Sequence, residues 1–305
     1  MNNSKVNKEK KPLKDMDLID DFLFSEVMSD KEKGKEVCRL ILSRVLKREV
    51  GEIDFTPERI VPGISERNHG IRMDAYITEF TEEQDIKKDK IKIFDLEPDK
   101  RSGKKNGLPR RSRYYADLID TQLLGTGVDY EDLPELVTIF ILSYDPFGMG
   151  DMIYEVGSII KTHPEVSYND GIQRVFLYVD GKLPENAGED ERKLRDLLKY
   201  ISRSVEENVK DKELRKLDDI VKSIKIKPEV GIRYMKSWEW EKEIREEGRE
   251  EGREEGREEG RKEGREEERK NTVAERRRAD KAEARVKELE GMLAGFKKTD
   301  MNQEG

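Results

Sequence analysis

Two short runs within residues 70–99 constrain the fold more than any other part of the chain. Residues 71–78 (IRMDAYIT) alternate apolar and polar side chains, and residues 91–97 (IKIFDLE) do the same toward their end. A period of two is typical of half-buried β-strands. The polar segment 81–90 between the runs has a length suited to an antiparallel hairpin. The sequence therefore predicts two neighbouring, paired strands.

Each predicted strand carries acidic residues. Asp74 lies in the first run, and Asp95 and Glu97 lie in the second, on the face opposite Phe94 and Leu96. If the strands pair, Asp74 and Glu97 converge. Close carboxylates repel each other unless a cation lies between them, and their hard oxygen atoms suit Mg²⁺ or Mn²⁺. A second interpretation stays open, in which these acids only form the solvent-exposed face of the strands.

The remaining apolar patterns predict an α/β fold, in which a mixed sheet is flanked by helices. Residues 136–142 are almost continuously apolar, as in a strand buried on both faces. Further strands are expected at 152–156 and 175–179. Helical periodicity indicates two helices between Asp17 and Leu46, one from about Tyr115 to Leu123 and two more between 190 and 224.

Prolines set the expected limits of the first two strands. Pro57 and Pro62 are expected to break up the segment that leads into the first strand. Pro98 is expected to stop regular pairing directly after Glu97.

The C-terminal part of the chain has a different character. From Glu246 it repeats Glu-Glu-Gly-Arg, which predicts a marginal, solvated helix or linker because each Gly weakens a helix. Ala279, Ala282, Val286, Leu289, Leu293 and Phe296 then form a short coiled-coil-like stripe. We therefore expect a disordered arm, one main domain, a repeat segment and a coiled-coil-like tail, at residues 1–14, 15–240, 241–270 and 271–305.

Composition limits the function classes. Charged residues make up 43% of the 305 residues and the net charge is −8, so a nucleic acid has to be bound by a local basic patch. A single cysteine, Cys38, excludes an internal disulfide framework, and with two histidines a Cys/His zinc site is essentially excluded. No apolar stretch is long enough to cross a bilayer and no secretory signal is present, so a cytoplasmic protein with no membrane partner is expected.

Several motifs occur together, in a specific order, over residues 15–265. The chain resembles the PD-(D/E)XK nuclease-fold transposase family, whose members are also described as recombination-promoting nucleases. The motifs that carry the resemblance are Asp21-Phe22-Leu23-Phe24, Gly70-Ile71-Arg72-Met73-Asp74, Phe94-Asp95-Leu96-Glu97, Ser112-Arg113-Tyr114-Tyr115, Leu133-Pro134-Glu135, Asp145-Pro146-Phe147-Gly148 and the Glu-Glu-Gly-Arg tail.

The resemblance implies a restriction-endonuclease-like fold and a metal-dependent DNA endonuclease that acts in recombination or transposition. Asp74 and Glu97 would be the ligands of Mg²⁺ or Mn²⁺, and Asp95 would have a structural or supporting role. Nuclease folds of this type often place a further acid on the first helix. Glu26 lies there, but we expect it to be a solvated helix acid.

The chain departs from the family pattern two residues after Glu97. The superfamily signature has a lysine at this position and many relatives of this family have a glutamine, whereas this chain has Asp99. An aspartate cannot supply the ammonium charge that positions and acidifies water. It could add a metal ligand, and Lys100, Lys104 or Lys105 could supply the charge. The catalytic set is therefore expected to be Asp74, Glu97, Asp99 and Lys100.

A basic segment follows the acidic pair directly and predicts contact with DNA, since cations beside aromatic rings suit a nucleic-acid backbone. The alternative is ordinary, with Arg113 paired to Asp117 on a helix and Tyr115 in the core. Arg72 either contacts phosphate or pairs with an acid. The expected DNA-contacting residues are Arg72, Lys104, Lys105, Arg110, Arg111, Arg113 and Tyr114.

Three hypotheses follow from the sequence. The first is the metal-dependent endonuclease. The second is a member of the same fold that binds nucleic acid without cleaving it. The third is an interaction protein that forms homo-oligomers through its C-terminal tail, with an incidental acidic pair.

Overall fold

The computed structural model describes residues 11–62, 71–81, 90–100, 107–123 and 129–301. The chain divides into two compact units, Met1–Tyr234 and Met235–Gly305. The first unit contains the sheet and the helices that pack on it. The second unit consists of the greater part of one long helix.

The described residues of the first unit form a six-stranded mixed sheet. Its strand order is β1-β2-β3-β4-β6-β5. The pairs β1–β2, β2–β3 and β5–β6 are antiparallel, whereas β3–β4 and β4–β6 are parallel. The predicted antiparallel pairing of the first two runs is confirmed, and so are the three later strands. The strands are β1 Glu52–Val61, β2 Ile71–Thr81, β3 Lys90–Asp99, β4 Glu135–Leu142, β5 Ile153–Val156 and β6 Ile172–Tyr178.

The helices follow the periodicity of the sequence. Asp30 accepts a hydrogen bond from the Lys33 N–H at the start of α2, and Asp211 does the same for Leu214 at the start of α5. Such N-caps satisfy donors that a helix start leaves unpaired. The helices are α1 Asp21–Ser29, α2 Lys31–Leu46, α3 Leu108–Leu123, α4 Glu189–Ser202, α5 Lys212–Lys225 and α6 Pro228–Met301.

The two faces of the sheet pack against different helices. Phe94 and Leu96 of β3 point into the main core, which also contains residues of α1, α2, α4 and α5. The opposite face packs against α3, with Ile119 beside Ile93 and Leu136. Because side chains alternate along a strand, Asp95 and Glu97 lie on the α3 side.

Two expectations about proline were wrong. Residues 52–61 form a complete strand that includes Pro57. This strand is the sheet edge, where a missing N–H removes little pairing. Pro98 does not end β3, which stays paired with β4 as far as Asp99. The Asp99 carbonyl accepts from Ser143 of the β4 side. Neighbouring residues of a strand direct their main-chain groups to opposite sides, so the nitrogen of Pro98, one residue earlier, faces β2. The described pairing between β3 and β2 already ends at Leu96.

The tail is one continuous helix across both predicted tail segments. It begins at Pro228, a residue favoured in the first helical turn because its missing N–H has no intrahelical partner there anyway. Residues 246–291 are all exposed. The expected boundaries at 240 and 270 fall inside this helix and stay predictions. No helix within the described residues combines the length and the apolar character that a membrane crossing requires.

Candidate carboxylate site on strands β2 and β3

Asp74 and Glu97 meet at the point where β2 and β3 separate. The described pairing of these strands ends at Ala75 and Leu96. One residue beyond that pair, Oε1 of Glu97 accepts a hydrogen bond of 3.0 Å from the main-chain N–H of Asp74. Glu97 is buried and Asp74 is half-buried. The predicted convergence of the two acids is therefore confirmed.

The backbone is distorted beside Asp74. On the neighbouring strand, Pro57 pairs with Ala75 and Arg59 pairs with Met73, so Glu58 lies opposite Asp74. Glu58 has a φ of 47°, in the left-handed region that a non-glycine residue adopts at a cost. Its carboxylate accepts a hydrogen bond of 2.5 Å from Ser25 of α1.

The distortion coincides with a change in which way β2 faces. Met73 packs with the residues of α3, whereas Ala75 packs in the main core. Strict alternation would place both side chains on one face. The strand therefore turns over at Asp74, the residue whose main-chain N–H donates to Glu97.

Asp95 is the most unusual residue of the site. It is fully buried, and its carboxylate oxygens have no hydrogen-bond donor among the described residues other than the carboxyl group of Glu97. Burial, together with the charge of Asp74, raises the pKa of Asp95 from 3.8 to about 8. Burial and the charges of Asp95 and Asp74 also raise the pKa of Glu97 well above its usual value. We refer to Asp74, Asp95 and Glu97 as the carboxylate site.

Polar groups continue from Asp95 across the sheet. Asp95 pairs in register with Thr138 of β4, and Thr138 pairs with Arg174 of β6. Thr138 Oγ1 and Arg174 Nε are also buried without a hydrogen-bond partner in the described part of the chain. Buried polar atoms are nearly always hydrogen-bonded, so this row is an exception that begins at the carboxylate site.

A cation reaches the same region from α3. Arg111 forms an ion pair with the fully buried Asp99, and its guanidinium lies 5.3 Å from the centre of the Phe140 ring. Arg111 Nε and Nη1 are buried and have no hydrogen-bond partner among the described residues. The charge of Arg111 opposes the rise in the pKa values of Asp95 and Glu97. Arg111 is therefore a positive group that acts on the carboxylate site.

The other predicted site residues lie elsewhere. Lys100 donates to Asp20, 2.5 Å away, at the start of α1. Arg110 and Arg113 of α3 are exposed, and Tyr114 is half-buried against the α3 face. Lys104 and Lys105 lie outside the described residues, and so does the side chain of Arg72. Their predicted contacts with DNA stay predictions.

Three further features were missed or misjudged from sequence. Thr138 stands out as one polar residue within an apolar strand, and Arg174 precedes the buried segment of β6. Both residues stand out in the sequence, but their relation to Asp95 becomes apparent only when the strands are aligned in the sheet. The interpretation of Glu26 as a solvated acid was wrong. It is buried and accepts bonds of 2.7 and 2.5 Å from Arg233.

The donor chemistry of the site fits a divalent cation in part. The site offers carboxylate oxygens in a buried, negatively charged environment, which a bound cation would neutralise. Within the described ranges, however, no three His, Cys, Asp or Glu side chains are arranged to hold a metal ion. The metal assignment therefore depends on the pair Asp74 and Glu97 and on the buried carboxyl group of Asp95 beside them.

No protein-family model matches the chain, and neither the curated proteins nor the solved structures contain a match.

Proposed function

We propose that this protein is a metal-dependent endonuclease that hydrolyses phosphodiester bonds of DNA in the cytoplasm, during recombination or transposition. The observation that carries the proposal is the carboxylate site, where Glu97 accepts a hydrogen bond from the Asp74 main chain beside the fully buried Asp95. The mixed sheet flanked by helices is compatible with a restriction-endonuclease-like fold, which belongs to the same proposal.

In this proposal Asp74 and Glu97 hold Mg²⁺ or Mn²⁺. The bound metal ion would neutralise charge on the scissile phosphate and lower the pKa of a water molecule. Asp95 adds a third carboxyl group beside the two ligands, and a bound cation would favour its ionised form in this buried environment, where charges interact strongly. The hydrogen bond from the Asp74 N–H fixes the position of the Glu97 carboxylate.

Arg111 supplies the positive charge that a lysine two residues after Glu97 would supply, where this chain has Asp99. A guanidinium does not lose its proton in proteins, so Arg111 cannot act as a base. We assign it two tasks, to hold Asp99 and to offset part of the negative charge of the site. Lys100 is less suited, because its ammonium is bound to Asp20.

The exposed side of α3 is the surface proposed to contact DNA. Arg110 and Arg113 are exposed near the start of this helix, which also carries Arg111. Contacts to phosphates position a nucleic acid without reading its sequence. A local contact of this kind is consistent with the net charge of −8.

The proposal is tested by nicking of supercoiled plasmid with Mg²⁺, Mn²⁺ or EDTA. The wild type is expected to nick in a metal-dependent manner, and Asp74→Asn and Glu97→Gln should each lower the rate at least a hundredfold. Glu155→Gln is the matched control, since Glu155 is an exposed acid of the same sheet. It should retain the wild-type rate.

A second candidate is a protein of the same fold that binds nucleic acid without cleaving it. The pairing of Asp99 with Arg111 favours it, because no lysine amine is available at that position. Fluorescence anisotropy with labelled DNA separates the candidates. Binding that is weakened by Arg110→Glu and Arg113→Glu but not by Lys161→Glu, without any nicking, supports the second candidate. A folded wild type that neither binds nor nicks DNA overturns both.

A further inference from the structure

The exposed tail helix carries an apolar stripe that the proposed nuclease activity does not use. Residues 246–291 of α6 are exposed, so this stretch gains no stability from burial of its side chains within the chain. Five glycines between Gly248 and Gly264 weaken the helix further, by about 1 kcal/mol each relative to alanine. Apolar side chains on such a helix are informative because water surrounds them.

The stripe follows a heptad repeat. If Ala279 is placed at position a, then Val286 is the next a position, and Ala282 and Leu289 are d positions. Val286 and Leu289 are 54% and 47% exposed. In sequence the same positions continue as Leu293 and Phe296. Apolar residues at a and d are the signature of a helix that packs against another helix in a coiled coil.

The charges beside the stripe follow the same repeat. Arg278 and Arg285 occupy two successive g positions, and Glu283 and Glu290 occupy two successive e positions. Residues at e and g flank the apolar stripe and determine which helices pair, and in which direction. A helix with arginine at two successive g positions and glutamate at the two e positions that follow them is complementary to itself in one orientation.

We propose that residues 278–296 form a parallel, in-register, two-stranded coiled coil with a second copy of this chain. In a parallel pair each g residue faces the e residue of the following heptad in the other copy. Arg278 then meets Glu283 of the second copy, and Arg285 meets Glu290. An antiparallel pair would place arginine against arginine and glutamate against glutamate.

The residues at a and d also favour two strands. Val286 at a and Leu289 at d are the combination of a β-branched a residue with Leu at d that selects dimers. The alanines at the first a and d positions bring the helices close but bury little surface. The stripe covers fewer than three heptads, so the dimer forms reversibly and depends on concentration.

An intrahelical contact competes with the proposed pairing. Arg285 donates to Glu288, 2.6 Å away, one turn along the same helix. Both side chains are exposed, and such pairs contribute only a few tenths of a kcal/mol. Arg285 is therefore free to exchange this partner for Glu290 of a second copy.

The first experiment is sedimentation equilibrium of the full-length chain over a range of concentrations. The wild type is expected to dimerise reversibly, and Val286→Glu should abolish the dimer. Val273→Glu is the matched control, because Val273 is the same residue type, on the same helix, 50% exposed, and lies off the stripe. A wild type that is monomeric at every concentration, or equal effects of the two variants, would overturn the proposal.

The charge pattern is tested with Arg285→Glu, which should raise the dimer dissociation constant about tenfold, since two attractive pairs become repulsive. Lys287→Glu makes the same change of charge at an outer position and should have little effect. An equimolar mixture of Arg285→Glu and Glu290→Arg should dimerise like the wild type. A stronger dimer for Arg285→Glu alone would indicate antiparallel pairing and contradict the proposal.

The register is tested by disulfide cross-linking of Ala282→Cys and Leu289→Cys, each alone in the full-length chain. A parallel in-register pair places equal positions opposite each other, so both variants should cross-link. An antiparallel pair can do this for at most one of them. The native Cys38 is buried, and burial raises the pKa of its thiol, so it does not interfere. Cross-linking of only one variant, or of neither, would overturn the proposal. None of these readouts depends on nuclease activity.

Discussion

Glu79 on β2 and Asp95 on β3 are both fully buried in the same sheet, but the structure satisfies only the first of them. Both oxygens of Glu79 accept hydrogen bonds from the Arg48 guanidinium, at 2.7 and 2.6 Å, and the Gly51 N–H donates to it at 3.0 Å. Asp95 has no such donors among the described residues, where its side-chain partner is another acid, Glu97, and it also lies beside Asp74.

The pKa values express the same difference. Burial alone would raise the pKa of Glu79, but the Arg48 guanidinium and the Gly51 N–H outweigh burial and lower it. At Asp95 burial and the charge of Asp74 act together and raise the pKa to about 8. The comparison teaches that burial of a carboxylate does not by itself define a site. A buried carboxyl group beside other acids, with a strongly raised pKa, is the arrangement that is enriched at functional sites.

The largest expected effect on stability concerns Glu79, the carboxylate whose hydrogen bonds are satisfied. Arg48→Met leaves the charge of Glu79 buried without its partner and should lower the free energy of unfolding by about 3–5 kcal/mol. The measurement is urea denaturation at pH 7. Arg39→Met is the control, since Arg39 is exposed on the preceding helix, and it should change stability by less than about 0.5 kcal/mol. Similar losses for both variants would mean that the contacts of Arg48 with Glu79 contribute no more to stability than the side chain of an exposed arginine does.

Replacement of Asp95 is expected to change the free energy of unfolding in the opposite direction. The pKa of Asp95 in the folded state is raised, so its contribution to stability is fully present below pH 3.8 and is lost as the pH rises through about 8. Asp95→Asn should therefore increase the free energy of unfolding at pH 8, on the order of 2–3 kcal/mol, and should change it little near pH 4. This gain in the free energy of unfolding is smaller than the pKa shift alone would give, because the substituted amide is itself polar and buried. Loss of stability in metal-free buffer at pH 8 would contradict this account.

A smaller effect is expected for Glu79→Gln. The pKa of Glu79 is lowered in the folded state, so its stabilisation is present above its ordinary value of 4.5 and is lost as the pH falls. The variant should cost about 1–2 kcal/mol at pH 7, less than Arg48→Met, because the charge left without its partner is then the partly exposed Arg48 guanidinium and not a buried one. At pH 3 the cost should disappear. Thermal unfolding of both proteins as a function of pH distinguishes a pH-dependent loss from a constant one.

The smallest effect is that of a metal ion on the wild type. Addition of Mg²⁺ or Mn²⁺ at pH 8 should stabilise the folded protein by about 1 kcal/mol, seen as a higher melting temperature. At pH 5 the shift should be smaller, because protonated carboxylates have to release protons to bind a metal ion. Glu97→Gln should remove the shift, whereas Glu155→Gln should leave it unchanged. An equal shift in all three proteins would indicate a salt effect unrelated to the carboxylate site.

Local patterns were sufficient for much of the fold. The alternation in residues 71–78 and 91–97 predicted an antiparallel pair, and the structure pairs β2 with β3 in this way. The apolar run 136–142 predicted a buried strand, which is β4. Edge strand β1 was missed because Pro57 argues against a strand unless the strand is known to be at an edge.

The partners of individual polar residues were the least predictable feature. Arg111 belonged to a basic segment in the sequence, yet in the structure it pairs with Asp99 beneath α3. Glu26 looked like a solvated acid, yet Arg233 binds it across 207 positions of sequence. No local pattern contains such distances, because the chain brings these residues together only when the helices pack on the sheet.

The sequence by itself determined the period of each strand and helix, the acids placed on the face of β3 opposite its apolar residues, and the heptad order of charges in the tail. These properties depend on neighbours within one or two turns, or within one strand. Only the tertiary structure decided that Glu79 is neutralised by Arg48 while Asp95 is left with Asp74 and Glu97. Electrostatic compensation of a buried charge depends on which distant groups lie within a few ångströms of it, and chain packing alone determines that.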